Sequence, residues 1–118
     1  MGVAFSPDTG KLLENLIFLA LRRSGQGIYY VTTPAGYEVD FYLPQRGEPI
    51  QAAMDMNQSA VRERETRALA GAMRALDLPR GTILCEANQT PIELEERTIV
   101  IRSVAEWMLS PVVSSPQS

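Results

Sequence analysis

Acidic residues suited to metal binding or acid–base chemistry occur on the first predicted helix and on the second predicted strand. Glu14 lies in the apolar stretch GKLLENLIFLALRRSG, and Asp40 alternates with Val39 and Phe41 in YEVDFYL. Two carboxylates that share a site attract Mg²⁺ or raise the pKa of one member of the pair. The two residues therefore predict a carboxylate site, provided that the first helix covers the sheet face that carries Asp40.

The third predicted strand, in EPIQAAMDM, lacks the groups that would complete a hydrolytic metal site. Alternation puts Gln51 and Ala53 on one strand face. Glutamine offers a neutral oxygen, which binds a hard cation less well than a carboxylate, and alanine cannot activate water. The only lysine, Lys11, is in the first helix. Asp55 is on the same strand face and could replace the missing acid. It lies two residues beyond Ala53, however, a displacement of about 6.6 Å along the strand, which makes it a weak substitute.

Each acidic residue also has a structural interpretation. Glu14 falls between apolar helix positions, so we expect it to be at least partly buried, with either an ion-pair partner or a metal as compensation. Asp40 is either covered by the first helix or solvated on a polar strand face. Glu65 lies in the apolar seam of the second helix, where it either pairs with an arginine or backbone groups or joins Glu14 and Asp40.

Composition narrows the possible functions. Arg64, Arg67 and Arg74 form a helical stripe suited to binding phosphate, but Glu63 interrupts this stripe. The chain has 11 basic and 14 acidic residues, a balance that is not typical of a free-standing nucleic-acid-binding protein. The absence of histidine excludes Ser-His and Cys-His catalysis. One cysteine permits no internal disulfide, which favours a cytoplasmic setting, and no apolar run is long enough to cross a membrane.

The periodicity predicts an α/β fold in a single domain over residues 1–110, followed by a disordered tail at 111–118. A helix ending near Gly25 precedes a three-strand meander, and a second helix spans Ser59 to Leu78. A buried strand, a strand pair and a short helix complete the order. No G-x-x-x-x-G-K-[ST] phosphate loop is present, so this chain is not the nucleotide-binding part of an ATPase.

Six ordered segments carry a resemblance to a known family: GKLLENLIFLALRRSG, YEVDFYL, IQAAMDM, RERETRALAGAMRALDL, GTILCEANQT and IRSVAEWML. From about Thr9 to Leu109 they resemble the C-terminal domain of unknown function that follows the ATPase domain of archaeal and bacterial AAA-family ATPases. The resemblance implies a PD-(D/E)XK nuclease-like fold, with a restriction-endonuclease-like αβββαβ three-layer core and a mixed central sheet flanked by helices. Such nucleases carry an acid on the first helix, an aspartate on the second strand and E-x-K on the third.

These family positions match Glu14, Asp40, Gln51 and Ala53, so the resemblance implies a remnant catalytic site at the first three, with Glu14 and Asp40 as its metal ligands. No cofactor other than Mg²⁺ is implied. We expect a catalytically degenerate domain that acts as an interaction or dimerisation module, as a homodimer or with a partner ATPase. The alternative is a weak Mg²⁺-dependent endonuclease or nucleic-acid-binding domain.

Overall fold

The secondary structure follows the order that the sequence pattern predicts. The computed structural model describes residues 7–25, 27–33, 36, 38–44 and 46–109, without the side chains of 7–10; the predicted tail at 111–118 lies outside the described residues. The elements are α1 (Pro7–Arg23), β1 (Tyr29–Thr32), β2 (Glu38–Leu43), β3 (Glu48–Ala52), α2 (Ser59–Leu76), β4 (Arg80–Cys85), β5 (Gln89–Leu94), β6 (Arg97–Ser103) and α3 (Val104–Leu109).

The strands form one mixed six-stranded sheet in the order β1-β2-β3-β4-β6-β5. β1, β2 and β3 pair antiparallel, as short turns allow, whereas β4 pairs parallel with both β3 and β6. The parallel step from β3 to β4 is made through α2, because parallel neighbours need a long crossover connection. β5 pairs antiparallel with β6 at the sheet edge. The predicted α/β class with a mixed sheet is confirmed.

Helices cover both faces of the sheet. α2 packs through Leu69, Ala70, Ala72 and Met73 onto Ile83, Cys85, Ile99 and Ile101, whereas α1 and the Trp107 side chain of α3 pack on the opposite face around Ile50 and Leu84. Adjacent strand residues face opposite ways, so Ile83 and Leu84 enter different clusters. Cys85 is a buried core residue, as its strand pattern predicts. None of the described helices is long and apolar enough to cross a bilayer.

The first helix buries only one of its apolar stripes. Leu13, Ile17, Ala20 and Leu21 face the sheet, while Leu12, Leu16 and Leu19 remain between 41% and 59% exposed. Glu14 is exposed as well, so the prediction that it is at least partly buried is wrong. The physical reason is that α1 is covered only on the side that faces the sheet and α3, so a helix that is apolar on several sides must leave some of them in solvent.

The third strand is shorter than the sequence pattern predicts. Alternation favours a strand that continues to Met56, but β3 ends at Ala52 and Asp55 adopts a left-handed conformation with φ of 62°. Met56 consequently packs in the α2-side cluster, whereas Ile50 packs on the α1 side. The pattern is misleading here because the two buried side chains beyond the strand, Ala53 and Met56, serve a turn into α2 as readily as a strand.

Gly81 marks the closest approach between α2 and the sheet. A Cβ at this position would lie 2.9 Å from Met73 Sδ and 3.1 Å from Leu69 Cδ2, both buried. Gly81→Ala is therefore expected to lower the free energy of unfolding by about 1–3 kcal/mol, measured by urea denaturation, because overpacking forces neighbours off their rotamers. Gly27→Ala is the matched control: its Cβ would meet only the exposed Tyr29 ring, and equal losses in both variants would contradict the packing argument.

Candidate functional site

The candidate site lies where β2 and β3 part. Their register runs from Leu43↔Glu48 to Phe41↔Ile50 and stops before Asp40. Val39 and Phe41 have the same strand parity, yet Val39 packs in the α2-side cluster and Phe41 in the α1-side cluster. The regular alternation of β2 side chains between the two faces of the sheet is therefore interrupted at Asp40. Such an irregularity removes ladder hydrogen bonds and leaves backbone groups that need other partners.

Two side chains supply those missing partners. Asp40 Oδ2 accepts a hydrogen bond from the Ala52 N–H at 2.8 Å, and Gln51 Oε1 accepts one from the Asp40 N–H at 3.1 Å. The predicted site residues Asp40 and Gln51 are thus brought together, but by hydrogen bonding across the gap between two strands. Each side chain substitutes for a backbone carbonyl of the neighbouring strand.

The Gln51 side-chain amide uses both of its N–H donors in hydrogen bonds. Its Nε2 donates to Glu65 Oε1 at 2.8 Å and to the Glu38 carbonyl at 3.3 Å. A primary amide has two N–H donors, and both are engaged here. Gln51 is only 6% exposed, so these bonds are made largely out of water, where an unmade bond would be costly. Gln51 therefore connects β2, β3 and α2.

Glu65 shows features of both predicted interpretations, because it pairs with an arginine and also lies beside Gln51 at the site. One carboxylate oxygen accepts from Gln51, and the other lies 3.4 Å from Arg64 Nη2, with the side chain 16% exposed. Its charge also contributes to the electrostatic environment of Asp40. The seam position of Glu65 on α2 is what places an acid beside Gln51.

Asp40 is the titrating group of this site. Burial is the largest cause that raises its pKa, to about 6; the Ala52 N–H opposes the shift, and the charges of Glu14, Glu65 and Glu38 add to it. Glu14 is therefore near enough to act on Asp40 through space although its own side chain is exposed. The structure links α1 to Asp40 through this charge effect, whereas a carboxylate site shared by Glu14 and Asp40 stays a prediction.

The arrangement does not fit a Mg²⁺ site. Within the part of the chain that the structure describes, no three Asp, Glu, His or Cys side chains are grouped closely enough to hold a metal ion. Gln51, the residue predicted at the second acid position, directs an N–H donor toward Glu65. That donor satisfies the carboxylate that a cation would otherwise need, so the ligand set implied for Glu14 and Asp40 has no third member.

An open pocket of about 320 Å³ adjoins this hydrogen-bonded group. Of the predicted arginine stripe, Arg64 and Arg67 line the pocket together with Glu38, Gln51 and Glu65, whereas Arg74 does not. Arg67 also pairs with Glu63 at 3.2 Å on the outer face of α2. The pocket thus mixes two guanidinium groups with two carboxylates.

Sequence reasoning missed the part that the backbone plays. The Glu38 carbonyl and the Ala52 N–H are members of the site, and Ala53 turns to the buried α2-side cluster without contributing a polar group. No residue type signals a backbone partner. The one available signal was a buried-face glutamine next to a strand aspartate, since buried amides need several partners.

A similar sequence occurs in the uncharacterized protein MJ1544 of Methanocaldococcus jannaschii, which is 38% identical over 81 residues. The matched segment is 64% of this chain and 18% of the relative, so the chain spans less than a fifth of that protein's length. No family model matches the chain. No solved structure matches it significantly.

Proposed function

We propose that this chain is a catalytically degenerate PD-(D/E)XK nuclease-like domain, related to the C-terminal domain of AAA-family ATPases, that acts as an interaction or dimerisation module. The observation that carries the proposal is the Gln51 amide, which donates to Glu65 at 2.8 Å in the place where a nuclease needs a metal-binding acid. The αβββαβ order and the separation of β2 from β3 at Asp40 support the fold relationship.

An interaction role is supported by the outer face of α1. Leu12, Leu16 and Leu19 are spaced four and three residues apart, so they form one exposed apolar stripe on a 17-residue helix. Exposed apolar surface of this kind marks contact with another protein. The proposed partner is either a second copy of the chain or the ATPase part of a longer protein. The relative is more than five times as long as the matched segment, which supports a place within a longer protein, and the ATPase part remains our proposal.

Calorimetric titration of Mn²⁺ into the wild-type protein at low salt tests the loss of catalysis. We expect no saturable binding, because the Gln51 amide occupies a Glu65 carboxylate oxygen and is itself a poor ligand for a hard cation. We also expect no nicking of supercoiled DNA with Mg²⁺ or Mn²⁺ present. Asp40→Ala serves as the matched variant. Saturable binding or nicking by the wild type that disappears in Asp40→Ala would refute the proposal and establish the endonuclease alternative.

Nucleic-acid binding is the second candidate function, and one observation favours it. Arg64 and Arg67 line the pocket beside Gln51, with exposed side chains that a phosphate can reach. Backbone binding through two arginines should weaken steeply as salt rises. Fluorescence anisotropy with single-stranded DNA, repeated with Arg64→Ala plus Arg67→Ala, tests it; affinity that is unchanged by the double substitution would exclude this pocket.

A further inference from the structure

A larger groove lies on the other side of α2, between this helix and the edge strand β5. It encloses about 510 Å³, and its floor is apolar, formed by Ala70 of α2 and by Ile92 and Leu94 of β5. Ile92 and Leu94 are partly buried against the core on one side and open to the groove on the other. The groove therefore offers a place for an apolar side chain.

Arginines form the rim of this groove, which we call the α2–β5 groove. Arg62 and Arg67 lie along it; Arg62 donates to Gln89 Oε1, and Arg67 pairs with Glu63 at 3.2 Å. Both members of the Arg67–Glu63 pair are more than half exposed, so the pair stabilises the helix little and exchanges easily for another anion. These two arginines hold positive charge beside the apolar floor.

Arg74 at the end of the rim has no acidic partner among the described residues. Glu93 and Glu95 line a neighbouring pocket with it, yet neither forms an ion pair with its guanidinium. The three rim arginines against one rim glutamate leave local positive charge on a chain whose net charge is −3. A local field opposite in sign to the net charge attracts an acidic partner to this face.

Thr66 adds a polar group with no internal use. Its Oγ1 is buried and has no hydrogen-bond partner within the described residues, and the side chain lines the α2–β5 groove. A threonine in a helix normally returns its hydroxyl to a carbonyl of the preceding turn or exposes it to water. Because Oγ1 is closed to solvent, a ligand in the groove reaches this hydroxyl only after the Thr66 side chain turns to another rotamer.

We propose that the α2–β5 groove binds an acidic peptide segment of a partner protein, with an apolar side chain on the Ala70–Ile92–Leu94 floor and carboxylates at the rim arginines. From Ser59 to Arg74 the groove follows α2 for about 22 Å, which an extended peptide of about seven residues spans. This proposal rests on the interaction role proposed above and names its surface and the chemistry of its partner.

The lining favours a peptide over a nucleic acid. Nucleic-acid strands are held by basic residues together with aromatic side chains on which bases stack. The lining of the α2–β5 groove contains no aromatic residue, and Glu63 stands among its arginines. An aliphatic floor suits leucine or valine, and its position beside a sheet edge suits an extended chain.

The test uses a fluorescein-labelled peptide of about seven residues that alternates glutamate with leucine, titrated by anisotropy to about 1 mM protein. We expect saturable binding to the wild type and at least about tenfold weaker binding to Arg74→Glu. Arg23→Glu is the matched control, because both arginines lie in the last turn of a helix and each reversal changes the net charge equally. Circular dichroism verifies that both variants fold.

Three results would overturn the proposal. These are the absence of binding at the highest protein concentration, equal affinity for Arg74→Glu and wild type, and equal or tighter binding of an oligothymidylate or of a lysine–leucine peptide. None of these results concerns metal binding or DNA nicking. If the α2–β5 groove does not bind the peptide, the proposed loss of catalysis is therefore unaffected. Conversely, Mn²⁺-dependent nicking with intact peptide binding would refute the proposed degeneracy and retain the groove.

Discussion

Replacing Gln51 with glutamate is expected to lower the free energy of unfolding by about 3 kcal/mol at pH 8. The substitution changes a nearly buried N–H donor into a second carboxylate oxygen facing Glu65 and the Glu38 carbonyl. Asp40, also close, adds a third negative charge. Urea denaturation monitored by Trp107 fluorescence measures the change.

The pH dependence identifies the cause of the loss. Two facing carboxyls cannot both ionise, so the introduced carboxyl should have a raised pKa in the folded state and hold its proton. Stability contributed by a group with a raised folded pKa is present at acid pH and lost as the pH rises, so the Gln51→Glu defect should shrink toward pH 5. Gln51→Met is the matched control, since it removes the same bonds without a charge and its loss should not vary in this way.

A divalent cation should reverse the same defect. Gln51→Glu places a new carboxylate beside Glu65 and Asp40, an oxygen set of the kind that Mn²⁺ and Mg²⁺ bind. We expect millimolar Mn²⁺ to raise the melting temperature of Gln51→Glu and to leave the wild type unchanged. Equal stability of Gln51→Glu and wild type at pH 8 would mean that the Gln51–Glu65 bond does not govern the site.

Asp40→Asn is expected to stabilise the protein, by about 1–2 kcal/mol at pH 8. The pKa of Asp40 is raised from 3.8 to about 6, chiefly by burial, so its ionised form is less favourable in the folded state than in the unfolded chain. Asparagine keeps an oxygen for the Ala52 N–H and removes the charge that Glu14, Glu65 and Glu38 oppose. The full shift would give about 3 kcal/mol, and partial exposure of Asp40 reduces it.

The sign follows from linkage. Since the folded pKa of Asp40 lies above the unfolded value, the folded state binds more protons between pH 3.8 and about 6, and wild-type stability falls as pH rises through that interval. Asp40→Asn should match the wild type near pH 4 and exceed it above pH 7. Glu96→Gln, at an exposed turn position, is the control and should change neither limit. Destabilisation by Asp40→Asn at pH 8 would show that the ionised carboxylate is engaged by a cation.

A carboxylate that costs stability is the mark of a position kept for something other than folding. Proteins retain destabilising groups where function needs them, and remnants of a former site persist while the whole remains above its stability threshold. Asp40 now accepts the Ala52 N–H, and Gln51 satisfies Glu65, so the acids are held by internal hydrogen bonds. These bonds fit our proposal that the fold is retained for its surfaces.

Local patterns of the sequence determined the secondary-structure elements and showed which residue types are available at the candidate site. The α1 stop at Gly25 and the start of α2 at Ser59 appear where propensity and periodicity predict them. The predicted alternation of β2 is wrong in one respect, because Val39 and Phe41 face opposite sides of the sheet. Such features depend on residues close together in the chain, which is why they can be read without coordinates. The sequence likewise shows Gln51 and Ala53 at the two positions where the proposed nuclease relationship expects an acid and a lysine.

Only the tertiary structure decided which stripe of α1 is buried, and hence that Glu14 is exposed. It also decided that β2 leaves β3 at Asp40, so that Gln51 meets Glu65 from α2 and a carbonyl from Glu38. These outcomes depend on contacts between segments distant in sequence and on backbone groups that every residue shares. Sequence periodicity predicts which side chains of an element are buried, but the packing of the layers decides which element buries them.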